Sequence, residues 1–138
     1  MANKIEPRNS AKPGESMSEF DGMIDGSVTG SQYVRSVRQP WEPTELPGFW
    51  LKRLYENYQR GEKTWLMKVD PGAVSDAHAH DEFEQFYVLE GRLIDDSGVL
   101  EAGDFVCRAP GDMHSARSDD GALVLLVYTR HDPSSDNG

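Results

Sequence analysis

The stretch PGAVSDAHAHDEFEQFYVLEGR, residues 71–92, decides how the rest of the chain reads. It sets His78 and His80 two residues apart and Glu84 four further on, in a chain with only 4 histidines. In an extended segment, side chains at i and i+2 leave the same face, so both imidazoles can reach one point. Glu84 shares that parity, as do Phe86 and Val88, while Gln85, Tyr87 and Leu89 alternate with them. The histidine face therefore runs on into an apolar, inward one. Burying a carboxylate and two imidazoles together is costly unless something compensates them, and a divalent cation is the usual compensation.

Outward from this stretch the chain has an all-β rhythm. Segments of alternating, β-branched and aromatic character predict strands at QYVRSV (32–37), FWLKRLYEN (49–57), KTWLMKV (63–69), FEQFYVLE (83–90), GRLIDD (91–96), FVCRA (105–109) and ALVLLVYT (122–129). Turn signals (PGA, EG, DSG, EAGD, APGD, SDDG) separate most of them. Strands this short, without helices between them, suggest a sandwich or barrel whose closure removes exposed edges. Residues 1–31, rich in Gly, Ser, Pro and charge, read as a flexible or partner-ordered arm, residues 32–130 as the barrel, and 131–138 as a disordered tail that leaves His131 solvated.

Composition excludes several functions. Lys+Arg 14 against Asp+Glu 24 leaves a formal charge of -10, which repels phosphate backbones and anionic lipid, so no nucleic-acid or membrane partner is expected. No signal-peptide core stands near residue 1, and the longest apolar run, ALVLLVY, is far too short to span a bilayer; a cytoplasmic protein is expected. Cys107 is the single cysteine and allows no intrachain disulfide; it is expected to be a small core residue. No serine near the histidines has a base that is not itself a candidate metal ligand, which argues against a Ser-His-Asp hydrolase.

Gly72, His78, His80, Glu84 and Gly91 fit the pattern G-x5-H-x-H-x3-E-x6-G, and GDFVCRAPGDMH, Gly103 to His114, adds a histidine beside a Pro-Gly turn. In these two motifs the chain resembles the cupin superfamily, whose fold is a double-stranded β-helix, or jelly roll. The resemblance covers about residues 32–130. It implies metal ligation by His78, His80, Glu84 and His114. The second motif departs from the usual pattern, with Ala109 where a proline is common and Ser118 where an asparagine often stands. The flanks, from Pro40-Trp41 to the hairpin at Asp95-Asp96 and the turn SDDG, look like the branch that holds the C-terminal cupin of ChrR-type anti-sigma factors and the diketone- and hydroxyacetophenone-cleaving dioxygenases.

Three imidazoles and a carboxylate suit iron(II), zinc, nickel, manganese or copper, with iron(II) favoured by the dioxygenase resemblance. Four protein ligands leave two octahedral positions for a chelating small-molecule substrate, or for substrate and dioxygen. Glu84 either ligates or leaves the metal to act as general base. Parity places Met67 and Phe86 on the cavity wall, with Arg108 and Met113 flanking the third histidine. The expected function is a metal-dependent enzyme, an iron(II) dioxygenase cleaving a C–C bond of a small dicarbonyl or hydroxyketone. A non-catalytic zinc sensor or regulatory module and a metal-dependent isomerase or lyase fit the same residues. Trp41, Trp50, Tyr55 and Tyr58 exceed what a small core needs, and a homodimer built through residues 32–58 is expected.

Overall fold

The computed structural model describes residues 23–25 and 30–132. The strands are β1 (Ile24–Asp25), β2 (Glu42–Pro43), β3 (Phe49–Asn57), β4 (Glu62–Val69), β5 (Val74–His78), β6 (Phe83–Ile94), β7 (Val99–Glu101), β8 (Phe105–Arg108), β9 (His114–Arg117) and β10 (Ala122–Thr129). The one helical piece among the described residues is a 3-10 turn at Ser36–Arg38. No helix there is long and apolar enough to cross a membrane.

The sheet runs β1-β3-β4-β10-β6-β9-β5, with β2 on β3 and both β7 and β8 on β6. β6 links the two leaves of the jelly roll. Its first part pairs with β10 and β8, while its last residues pair with β7 and, at Ile94, with β9. Between them the register against β10 shifts, Val124 facing Val88 but Leu123 facing Glu90. That bulge leaves Leu89 and Glu90 both exposed and reverses the inward parity, from Val88 before it to the buried Leu93 after it. The two strands expected at 83–90 and 91–96 are thus one bent strand.

Gly91 sits at the bend with φ 75°, and a Cβ there would overlap the Gly121 carbonyl oxygen. Only glycine allows this approach of β6 to the start of β10. Ser118, fully buried, ties the same corner: its Oγ donates to Arg92 O at 2.5 Å, its N–H donates to Ala73 O and its carbonyl accepts from Gly72 N. A serine thus stands in the asparagine position with a closed set of hydrogen bonds.

The expected strand at 32–37 does not form. Residues 31–35 are irregular and lead into the 3-10 turn, which lies against the outer side of β3. Lys52 Nζ donates to Ser36 O at 2.7 Å and stands over the Trp41 ring at 4.6 Å, while Gln39 Nε2 donates to Arg53 O. Pro40 and these side-chain ties favour a strap over a paired strand. β5, β7 and β9 escape the apolar-alternation reading because all are short and β5 and β9 are largely polar.

The core is the inward face of β4, β6 and β10. Val69, Val88 and Val124 are almost fully buried, with Phe49, Phe86, Leu93 and Leu126 packed around them. On β10 alone, Ala122, Val124, Leu126 and Tyr128 point in while Leu123, Leu125 and Val127 point out.

Candidate metal centre

Pairing of β5 with β9 sets His78 directly opposite His114, the register shifting between Ser75 and His78. His80 follows in the turn after β5, and Glu84 reaches the same place from β6, with Arg108 of β8 as its cross-strand neighbour. The ligand atoms of His78, His80 and His114 lie within 4.8 Å of one another. The ring centroids of His78 and His114 are 4.5 Å apart, and those of His78 and His80 5.0 Å.

Two of the imidazoles have their tautomer set by the backbone. His78 Nδ1 lies 2.8 Å from Asp76 O and His114 Nδ1 3.1 Å from Asp112 O. A carbonyl only accepts, so each Nδ1 carries the proton and each Nε2 keeps a free lone pair. His80 Nε2 is buried and has no hydrogen-bond partner, although Glu84 Oε2 stands 3.2 Å away in poor alignment. An orphaned buried imidazole nitrogen beside two oriented lone pairs and a carboxylate is a set of donors that fits a divalent cation. Burial lowers the His80 pKa, and the nearby imidazoles add to that against the opposing pull of Glu84, so neutral His80 is favoured for coordination.

Glu84 is buried and contacted from four sides. Its Oε2 accepts a 2.6 Å hydrogen bond from Tyr128 Oη, and its Oε1 lies 3.4 Å from His114 Nε2 and 3.7 Å from Arg108 Nε. Burial first, and then the Glu84 charge and hydrogen bond, hold the Tyr128 phenol protonated far above its ordinary range. Tyr128 is therefore a fixed donor to the carboxylate. Its ring packs edge-on against Trp65 at 5.3 Å and His80 at 5.5 Å.

Arg108 is a buried salt-bridge partner. Its Nη2 donates to Asp95 Oδ2 at 2.6 Å, and its guanidinium lies 5.2 Å from the Phe86 ring centre. Burial pushes the Asp95 carboxyl up, but the Arg108 bond, the Ser97 and Gly98 N–H groups and the Arg108 charge together hold it below the usual carboxylate range. Asp95 is thus both a hairpin residue and the anchor of Arg108.

These groups open on a cavity of about 490 Å³ whose wall is mainly apolar. Met67, Phe86 and Arg108 line it with Trp65, Leu51 and Tyr128. Met113 does not: it is 62% exposed, because the turn after Pro110 directs it outward while His114 goes in. Cys107 is exposed as well, correcting its expected place in the core; on β8 the inward positions are Val106 and Arg108, so Phe105 and Cys107 face out. Sequence reasoning did not single out Tyr128 or assign Asp95 its partner. β10 is apolar on both faces, so no alternation marked Tyr128; its pairing opposite Glu84 brings it to the site.

A jelly roll with three converging histidines at the mouth of an apolar cavity defines a small-barrel class whose donors could hold a metal ion. Within that class the chain belongs to the ChrR Cupin-like domain family, whose model matches residues 29–132. No curated protein matches it. Among solved structures, KdgF from Halomonas sp. is 22% identical with a TM-score of 0.59, covering 70% of this chain and 92% of that one. An acetylacetone dioxygenase from Acinetobacter johnsonii is 12% identical with a TM-score of 0.59 over 64% of this chain and 67% of that one. The Rhodobacter sphaeroides SigE complex with the anti-sigma ChrR gives 21% and 0.56, over 65% of this chain and 49% of that one. At these identities the likeness is one of fold.

Proposed function

We propose that the chain is a metal-dependent cupin enzyme acting on a small, largely apolar substrate that chelates through oxygen, with iron(II) dioxygenase cleavage of a dicarbonyl or hydroxyketone C–C bond as its reaction. The observation that carries this reading is the opening of the His78, His80, His114 and Glu84 cluster onto an apolar cavity of about 490 Å³. That volume suits a small ligand, and its wall excludes bulk water from the polar groups at the rim. His78, His80 and His114 would hold the cation. When bound, iron supplies Lewis acidity and the redox chemistry that dioxygen requires.

The chain's own contribution is orientation and proton handling. Glu84 would accept an acidic C–H proton between two carbonyls, a role supported by its position, with Oε2 held by Tyr128 beside His80 and Oε1 beside His114. Trp65, Met67 and Phe86 would press the apolar part of the substrate toward the histidines.

The family match favours a second reading, a zinc-binding regulatory cupin, because the same fold occurs in the anti-sigma ChrR. The two differ in coordination: a structural zinc closes its shell at four ligands, whereas a catalytic metal keeps positions open. Metal content by inductively coupled plasma mass spectrometry, on anaerobically purified wild type, His78→Ala and His114→Ala, separates them. Near-stoichiometric iron, lost in both variants, followed by oxygen uptake with a β-diketone or hydroxyketone, is the expected result. Tightly held zinc without oxygen uptake favours the regulatory reading, and no bound metal in the wild type overturns both.

A further inference from the structure

In a chain of formal charge -10, one outer face carries almost no acid. Leu66 on β4 pairs with Leu125 on β10, Leu125 with Tyr87 on β6, and Tyr87 with Phe105 on β8, so an apolar row crosses four strands. One step along the strands, Thr64 pairs with Val127, Val127 with Gln85 and Gln85 with Cys107, again without a carboxylate. Tyr87 is 43% exposed and Phe105 57%. Outward faces of single-layer sheets are ordinarily polar, and an apolar one marks a contact surface.

The arrangement is self-complementary about β10. Two steps from β10 on one side stands Phe105; two steps on the other side is Lys52 of β3, covered by the 3-10 turn that carries Val37, 89% exposed. On the step beyond the apolar row, Lys68 pairs with Leu123 and Leu123 with Glu90, which puts one charge of each sign on either side of β10. We propose that this face docks a second copy of the chain about a two-fold axis running along β10. Stacked sheets about 10 Å apart would then set Leu125 on Leu125 of the partner subunit, Leu66 on the partner's Tyr87, Phe105 against the partner's Val37, and Lys68 opposite the partner's Glu90. An in-plane axis across the strands would instead bring Lys68 to the partner's Thr64 and leave both charges unpaired, so charge complementarity selects the first axis. The aromatic set at the strap is not what docks. Trp41 stacks under Lys52 and Lys68, Trp50 Nε1 donates to Asp70, and Tyr55 and Tyr58 hydrogen-bond to Glu62 and Glu56, all within the chain.

The test is sedimentation velocity on the full chain at micromolar concentration, with circular dichroism as the folding control. Wild type should be a dimer, and Leu125→Lys a folded monomer. If Leu125→Lys unfolds, Phe105→Asp at its exposed position should give the monomer. Lys68→Glu and Glu90→Lys should each weaken dimerisation about 10-fold at low salt by placing like charges together, and combining them should restore it. A monomeric wild type overturns the proposal, leaving residues 1–22 or a foreign chain as the cover of this face. So does a dimer indifferent to Leu125→Lys and Phe105→Asp, or a double reversal no better than the single ones.

Discussion

Tyr128 on β10 donates a 2.6 Å hydrogen bond to Glu84 on β6, joining residues 44 apart in sequence at the rim of the metal cavity. The phenol is the side chain that hydrogen-bonds that carboxylate: Arg108 Nε stops at 3.7 Å, His80 Nε2 is misaligned at 3.2 Å, and His114 Nε2 at 3.4 Å carries no proton because Nδ1 donates to Asp112 O. Replacing it with phenylalanine removes the donor while keeping the ring that packs on Trp65 and His80.

For Tyr128→Phe in metal-free protein, we expect a loss of about 1–3 kcal/mol in urea unfolding, the cost of leaving a buried carboxylate oxygen without its donor. A cation would satisfy the same oxygen, so saturating Co²⁺ should recover most of the loss. An equal deficit with and without Co²⁺ would show that Glu84 does not face the cation.

The Asp95–Arg108 pair makes stability pH-dependent on the acid side. The Asp95 pKa is held below its unfolded value, so its contribution is fully present above the ordinary carboxylate pKa of about 3.9 and is lost as pH falls through the lower folded value. In denaturant melts from pH 7 to pH 3, Asp95→Asn should be less stable than wild type at pH 7, by about 3 kcal/mol, because Arg108 is left buried with only the longer contacts to Glu84 and Asp112. The gap should narrow toward pH 3. A constant gap would mean that the pair's charge contributes nothing.

His80 acts in the opposite sense on protonation. Its folded pKa is lowered by burial, so the unfolded chain takes up a proton first, and metal-free stability falls as pH drops through the unfolded value of about 6.5. Chelator-treated wild type should therefore lose stability between pH 8 and pH 5, while His80→Gln should give a flatter profile over the same range. Identical slopes for the two proteins would refute this.

Gly91→Ala should destabilise the fold by about 3 kcal/mol, since the added methyl meets the Gly121 carbonyl at a left-handed backbone position. Gly98→Ala, with nothing within 4 Å of the added Cβ, should cost clearly less. Thermal unfolding of both variants tests the contrast, and equal losses would place the bend elsewhere.

The all-β class and the His78-His80 pair were legible because both rest on local pattern, whereas the jelly roll and the part of His114 were legible through the resemblance of the two motifs to the cupin superfamily. The stretches at 49–57, 63–69, 105–109 and 122–129 are rich enough in aromatic, β-branched and other apolar residues to show their strands, and HxH spacing puts two imidazoles within reach of one point. The polar strands β5 and β9 were not legible. They are strands because His78 and His114 pair across them, and no apolar period marks such a strand. Met113 and Cys107 were misplaced for a related reason: two residues of a short strand or turn cannot reveal which parity faces in until a neighbouring strand fixes it.

By itself, then, the sequence determined the all-β character of the chain, the inward face of β4 and the His78-His80 pair offered to a metal, since each depends on residues a few positions apart. Tertiary structure alone decided that β6 is one strand bent at Leu89–Glu90, that Asp95 anchors Arg108 and that Tyr128 holds Glu84. Each of those is a meeting of groups far apart in the chain. Its energy comes from burial and a hydrogen bond that exist only after the leaves have closed, so no local period could announce it.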